Sequence, residues 1–63
     1  MELADVKRNM NKPVWYQGNR YLLTGCMLRR GGDGFYYQAE LYERQARAVL
    51  ICKLEDVEHE HRY

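Results

Sequence analysis

Histidine is scarce in this sequence and remote from the rest of the chemistry: the two present, His59 and His61, fall in the last five residues. Cysteine is scarce too. Cys26 and Cys52 sit inside apolar runs, whereas a disulfide-stapled domain shows more cysteines in loop-rich sequence. The longest uninterrupted apolar run is Ala48–Cys52, far short of a membrane span. No charged start leads into an apolar segment of the secretory type. These absences predict a cytoplasmic protein with reduced thiols and no membrane association. Strong charge of one sign is missing as well, with 10 Lys+Arg against 9 Asp+Glu. That balance is weaker than the basic footprint of a dedicated nucleic-acid binder. The charge is unevenly placed: residues 14–53 carry a net +3, residues 54–63 a net −3 and residues 1–13 a net +1.

A chain of 63 residues makes one domain, near the lower size for independent folding. A domain of this size buries only roughly 60% of the surface its unfolded chain exposes. A small core and no deep, enclosed active site are expected.

The clearest pattern is Phe35-Tyr36-Tyr37-Gln38-Ala39-Glu40-Leu41-Tyr42. Successive side chains of a strand point to opposite faces. The alternation assigns Phe35, Tyr37, Ala39 and Leu41 to a dry face that anchors the fold, and Tyr36, Gln38, Glu40 and Tyr42 to a wet one. Gly31-Gly32-Asp33-Gly34 before it and Glu43-Arg44-Gln45 after it are turn signals. A phosphate-cradling role for the glycines is rejected, because a strand and not a helix N-terminus follows them.

Along the rest of the chain, Leu3, Val6 and Met10 have helical spacing, but so short a helix is marginal and Pro13 discourages helix at Lys12. A flexible or loosely docked arm is the preferred reading of residues 1–13. Val14-Trp15-Tyr16 and the segment from Arg20 form a hairpin about Gly18 and Asn19, which both tolerate positive φ. In the second arm, Tyr21 and Leu23 have one phase and Cys26 and Leu28 the other. A bulge or bend at Gly25 would put all four inside. Residues 47–53 are continuously apolar at their centre, as expected of a strand covered on both faces. Leu54–Asp56 reads as a 3₁₀ turn, with a brief strand at Val57–His59.

Five strands result: 14–16, 20–30, 35–42, 47–53 and 57–59. A bent second strand, a meander and a 3₁₀ turn before the last strand resemble the SH3-like barrel, so the expected fold class is all-β, a small five-stranded SH3-like barrel. Residues 1–13 would be the arm, 14–59 the barrel and 60–63 a polar tail. The alternative is an open, twisted antiparallel sheet with the N-terminal segment packed over one face.

No residue stands out as catalytic. The group His59-x-His61 with Glu58 and Glu60 lacks the four-ligand pattern of a structural zinc site and reads as a solvated tail. Cys26 and Cys52 read as small core hydrophobes rather than nucleophiles. No Ser-His-Asp signature is present, and Glu55, Asp56 and Glu58 cluster without an evident cleft. No metal and no cofactor is expected.

A binding surface is better supported. Trp15, Tyr16, Tyr36 and Tyr42 exceed what so small a core can hold, and Arg29 and Arg47 lie beside them. Aromatics with arginines mark protein-binding hot spots. They also stack bases and neutralise phosphates. Outward tyrosines that only stabilise cross-strand pairs are the plainest reading of the same pattern.

Two segments, Val14 to Arg29 and Phe35 to Leu41 followed by Val49 to Val57, resemble a group of short, uncharacterised bacterial proteins found with phage or conjugative-element genes. The resemblance covers residues 14–58 and implies an SH3-like fold and a mobile-element origin. It brings no site residues. The expectation is a non-enzymatic module that binds another protein through Trp15, Tyr16, Arg29, Tyr36, Tyr42 and Arg47. The alternative is a nucleic-acid-binding accessory protein using the same face, and a third class is a structural subunit that pairs edge strands.

Overall fold

Two tight turns set the sheet. In the computed structural model, which describes residues 1–59, β1 (Pro13–Tyr16) turns into β2 (Asn19–Gly31). The turn residues Gln17 and Gly18 have φ of 49° and 77°. Two positive φ values match the right-handed twist of the flanking strands, as a type I′ turn requires. The turn therefore sits one residue earlier than the expected Gly18-Asn19 pair. The Gly31↔Gly34 pair closes the second hairpin, from β2 into β3 (Gly34–Glu43). A third turn at Arg44–Arg47 leads to β4 (Ala48–Lys53). There the Glu43 carboxylate accepts hydrogen bonds from the backbone N–H groups of Gln45 (3.1 Å) and Ala46. A 3₁₀ turn (Leu54–Asp56) and the two-residue β5 (Glu58–His59) complete the expected series.

All pairings are antiparallel, in the order β4-β3-β2-β1-β5. The sheet is open. Among the described residues β4 and β5 are its two edges and do not pair with each other, so the SH3-like barrel expected above does not form. Strand length explains this. β5 offers only Val14↔His59 and Trp15↔Glu58 to β1, too short a ladder to carry the sheet round to β4. The architecture is the alternative named above, an open sheet with the N-terminal segment over one face.

That segment forms α1 (Leu3–Asn9), where a loose arm was preferred from sequence. Val6 is buried in the core and Met10 packs against it. Backbone bonds tie the chain after the helix to β2, Asn11 N to Leu23 O at 2.7 Å and Leu23 N to Lys12 O at 3.1 Å. The Met1 amino group donates to the carbonyls of Leu54 (3.2 Å) and Val57. Asp5 accepts from Arg8 and lies 3.4 Å from His59 Nε2. The short helix is thus held by tertiary contacts rather than by its own propensity.

The core comprises Val6, Val14, Leu23, Ala39, Leu41, Cys52, Leu54 and Val57. The register shift between Leu23 and Gly25 leaves Thr24 as the extra residue of a bulge. Leu23 then lies opposite Leu41 and Cys26 opposite Ala39, so the two phases of β2 reach one face as the sequence predicts, but Leu28 on that face is 57% exposed and not inside. The Glu40 side chain crosses Gly25: a Cβ there would sit 2.9 Å from Glu40 Oε2. Thr24 Oγ1 lies 3.2 Å from both Glu40 O and Glu40 Oε2, which holds that side chain in place.

One expectation about β3 needs correction. Phe35 and Tyr37 share the inner face with Ala39 and Leu41, but only the last two are buried; Phe35 is 72% exposed. The β2–β3 hairpin outruns its neighbours. β4 pairs with β3 only from Gln38 onward, and β1 pairs with β2 only as far as Leu22. Beyond those points two strands stand alone.

Candidate functional site

Opposed residues of an antiparallel ladder share a face, so the register assembles the outer surface residue by residue. One row crosses four strands: Pro13, Leu22, Tyr42 and Val49. The neighbouring rows place Gly25, Glu40 and Ile51 together, then Met27, Gln38 and Lys53. Val49 is 58% and Ile51 43% exposed, and Met27 is exposed as well. At one end the apolar row runs into a shallow groove of about 490 Å³. It is lined by Pro13, Leu22 and Tyr42 together with Arg20, Glu43 and Arg44.

The expected binding residues do not form one cluster. Tyr42 is half-buried at the centre of the apolar row. Trp15 is on the same outer face, opposite Arg20 and Glu58. Its indole Nε1 is buried without a hydrogen-bond partner among the described residues. Arg29 and Tyr36 are opposed near the far end of the long hairpin. The Tyr36 ring lies across Gly31, where a Cβ would be 3.1 Å from its Cε1. This is a cross-strand contact within the hairpin. Tyr16 belongs elsewhere: it packs against the core, with its ring centroid 6.4 Å from that of Tyr21. Arg47 is exposed in the turn before β4, with φ of 53°.

Sequence reasoning missed Met27, Val49 and Ile51. The continuous apolar run of β4 was read as a strand covered on both faces. Its inner face is covered at Cys52 and in part at Leu50, but β4 is an edge strand and nothing among the described residues covers Val49 and Ile51. A doubly covered composition on a singly covered strand is the signal that locates this surface.

The titratable groups with clear perturbations have structural causes. The Arg8 hydrogen bond holds the Asp5 carboxyl below its usual range. Burial pushes both thiols up, with Asp56 adding to the effect at Cys52. A thiol raised in this way is a poorer nucleophile at neutral pH. Among the described residues no three His, Cys, Asp or Glu side chains converge as metal ligands. His61, Glu60 and the tail 60–63 lie outside those residues. No helix among the described residues is long and apolar enough to cross a membrane.

No family model, curated protein or solved structure matches the chain. The resemblance to short proteins of phage and conjugative elements is therefore not supported, and the mobile-element origin and barrel fold it implied are withdrawn. What stands is a small, compact all-β domain built on an open five-stranded sheet.

Proposed function

We propose that this chain works by binding another protein, without catalysis, through the outer face of its sheet. The observation that carries the reading is the row Leu22, Tyr42 and Val49 with Ile51 beside it, apolar across three strands and open at β4. Water contact with such side chains is unfavourable by about 25 cal/mol per Å². Apolar surface of this kind, rimmed by polar groups, is characteristic of interaction sites. Arg20 and Arg44 at the groove supply the polar rim that fixes orientation. Within the expected set, Tyr42 and Trp15 belong to this face, and Arg29 with Tyr36 forms its outlying end.

The test is affinity capture from the source cell with wild type, Ile51→Glu and Tyr42→Ala, each checked for native circular dichroism. A protein retained by the wild type at about 0.3 M salt and lost by both folded variants supports the reading. Equal retention by all three refutes this face. Retention of nucleic acid that fades steeply with salt supports the alternative function instead, because each neutralised phosphate releases counterions.

A further inference from the structure

We propose that the partner at the β4 edge is a second copy of this chain, joined by antiparallel β4–β4 pairing about a two-fold axis at Ile51. This goes beyond the docking role assigned above to the outer face: pairing in the plane of the sheet extends that face across both copies and does not cover it. Edge strands of monomeric proteins are shielded by inward charges, proline, bulges or extreme shortness. β5 has the last of these, at two residues. β4 lacks proline, bulges and inward charges: Ala-Val-Leu-Ile-Cys-Lys pairs with β3 in unbroken register from Ala48 to Lys53, and its only shielding charge, Lys53, stands at the end of the strand. Its outward N–H and C=O groups are a template for another strand.

The sequence around β4 is complementary to its own reverse. Arg44 and Arg47 precede the strand, and Glu55 and Asp56 follow it. Antiparallel pairing brings the basic end of one copy to the acidic end of the other, twice, as an isologous contact demands. Among the described residues neither Arg47 nor Glu55 forms an ion pair within the chain.

The axis position follows from two constraints. A two-fold perpendicular to the sheet keeps each face on its own side, so outward residues must meet outward residues. That leaves centres at Leu50 or Ile51 for an overlap of most of the strand. Centring on Leu50 sets Arg47 against Lys53 of the second copy, a destabilising like-charge pair. Centring on Ile51 sets Ile51 against itself and Val49 against the aliphatic stem of Lys53, and brings the turn carrying Arg47 in one copy toward the end of β4 in the other, where the 3₁₀ turn carrying Glu55 begins. Long cationic side chains cover apolar surface in this way while their charge stays in water.

Sedimentation equilibrium of the full chain tests the state, and cross-linking tests the register. Directly opposed residues have Cα atoms about 4.5–5.5 Å apart, within disulfide range. In a background with Cys26→Ala and Cys52→Ala, Ile51→Cys forms a covalent dimer under mild oxidation, and Val49→Cys does not. Arg47→Glu raises the dimer dissociation constant about tenfold, and adding Glu55→Arg restores it. A chain that stays monomeric up to about 1 mM overturns the proposal. So does a dimer that neither cross-links through position 51 nor responds to the charge swap. If the monomer still captures another protein and Ile51→Glu abolishes that capture, the self-pairing is wrong and the docking reading stands.

Discussion

Phe35 and Leu41 lie on the same face of the same strand, and replacing each by alanine separates face from depth. Leu41 is fully buried between Leu23 and Leu50. Leu41→Ala removes buried methyl groups and leaves a cavity that neighbouring strands cannot fill, at a cost of about 3 kcal/mol. Phe35 keeps 72% of its surface in water. The remainder, about 55 Å² of an aromatic side chain, corresponds to about 1.4 kcal/mol at 25 cal/mol per Å². That figure is an upper bound, because the unfolded chain already buries part of it, so about 1 kcal/mol is expected. Urea unfolding followed by circular dichroism measures both. With an m-value of about 1 kcal/mol/M, the midpoint falls by about 3 M for Leu41→Ala and by about 1 M for Phe35→Ala. A midpoint for Phe35→Ala as low as that for Leu41→Ala would refute the claim that the hairpin tip lies outside the core.

Three further outcomes follow from the geometry. Gly25→Ala destabilises by about 1 kcal/mol, because the new Cβ displaces the Glu40 carboxylate from Thr24. Introducing Glu40→Ala first removes at least about 0.5 kcal/mol of that cost in a double-mutant cycle. The Asp5 carboxyl has a lowered pKa in the folded chain, so its contribution to stability is present above the unfolded value of 3.8. That contribution is lost as pH falls through the folded value; α1 amides therefore lose hydrogen-exchange protection in that window, and Asp5→Asn removes the pH dependence. Ellman's reagent modifies Cys26 before Cys52, whose buried thiol reacts only at the rate of unfolding; equal rates would contradict the burial of Cys52.

The strands were legible because alternation and turn residues are local signals. The bulge in β2 was legible too, since the phase conflict between Leu23 and Cys26 has one economical solution, an extra residue near Gly25. Depth was not legible. Alternation assigns Phe35 and Tyr37 to a face, but their burial depends on whether a third strand reaches them, and β4 stops at Gln38. Closure was misjudged for the same reason: it depends on how far β1 and β5 extend beside their neighbours, which strand count does not reveal. The face of Tyr16 was not legible, because Val14-Trp15-Tyr16 is apolar throughout and carries no phase. The helical spacing of Leu3, Val6 and Met10 is outweighed in sequence by shortness and Pro13, which favour an arm; the helix Leu3–Asn9 forms because tertiary contacts at Val6 hold it, while Leu3 is 47% exposed. In β4 the composition was read correctly and the covering wrongly. That mismatch is what points to a partner.

Amide hydrogen exchange along β4 tests the open edge of the sheet most directly. About half of the amides from Ala48 to Lys53 point to β3 and half to the open edge. In dilute protein the edge-facing amides exchange as fast as the turn at residues 44–47. As concentration rises they become protected in step with dimer formation, and β5 and the hairpin tip do not change. Edge amides that exchange equally fast at every concentration would contradict the account.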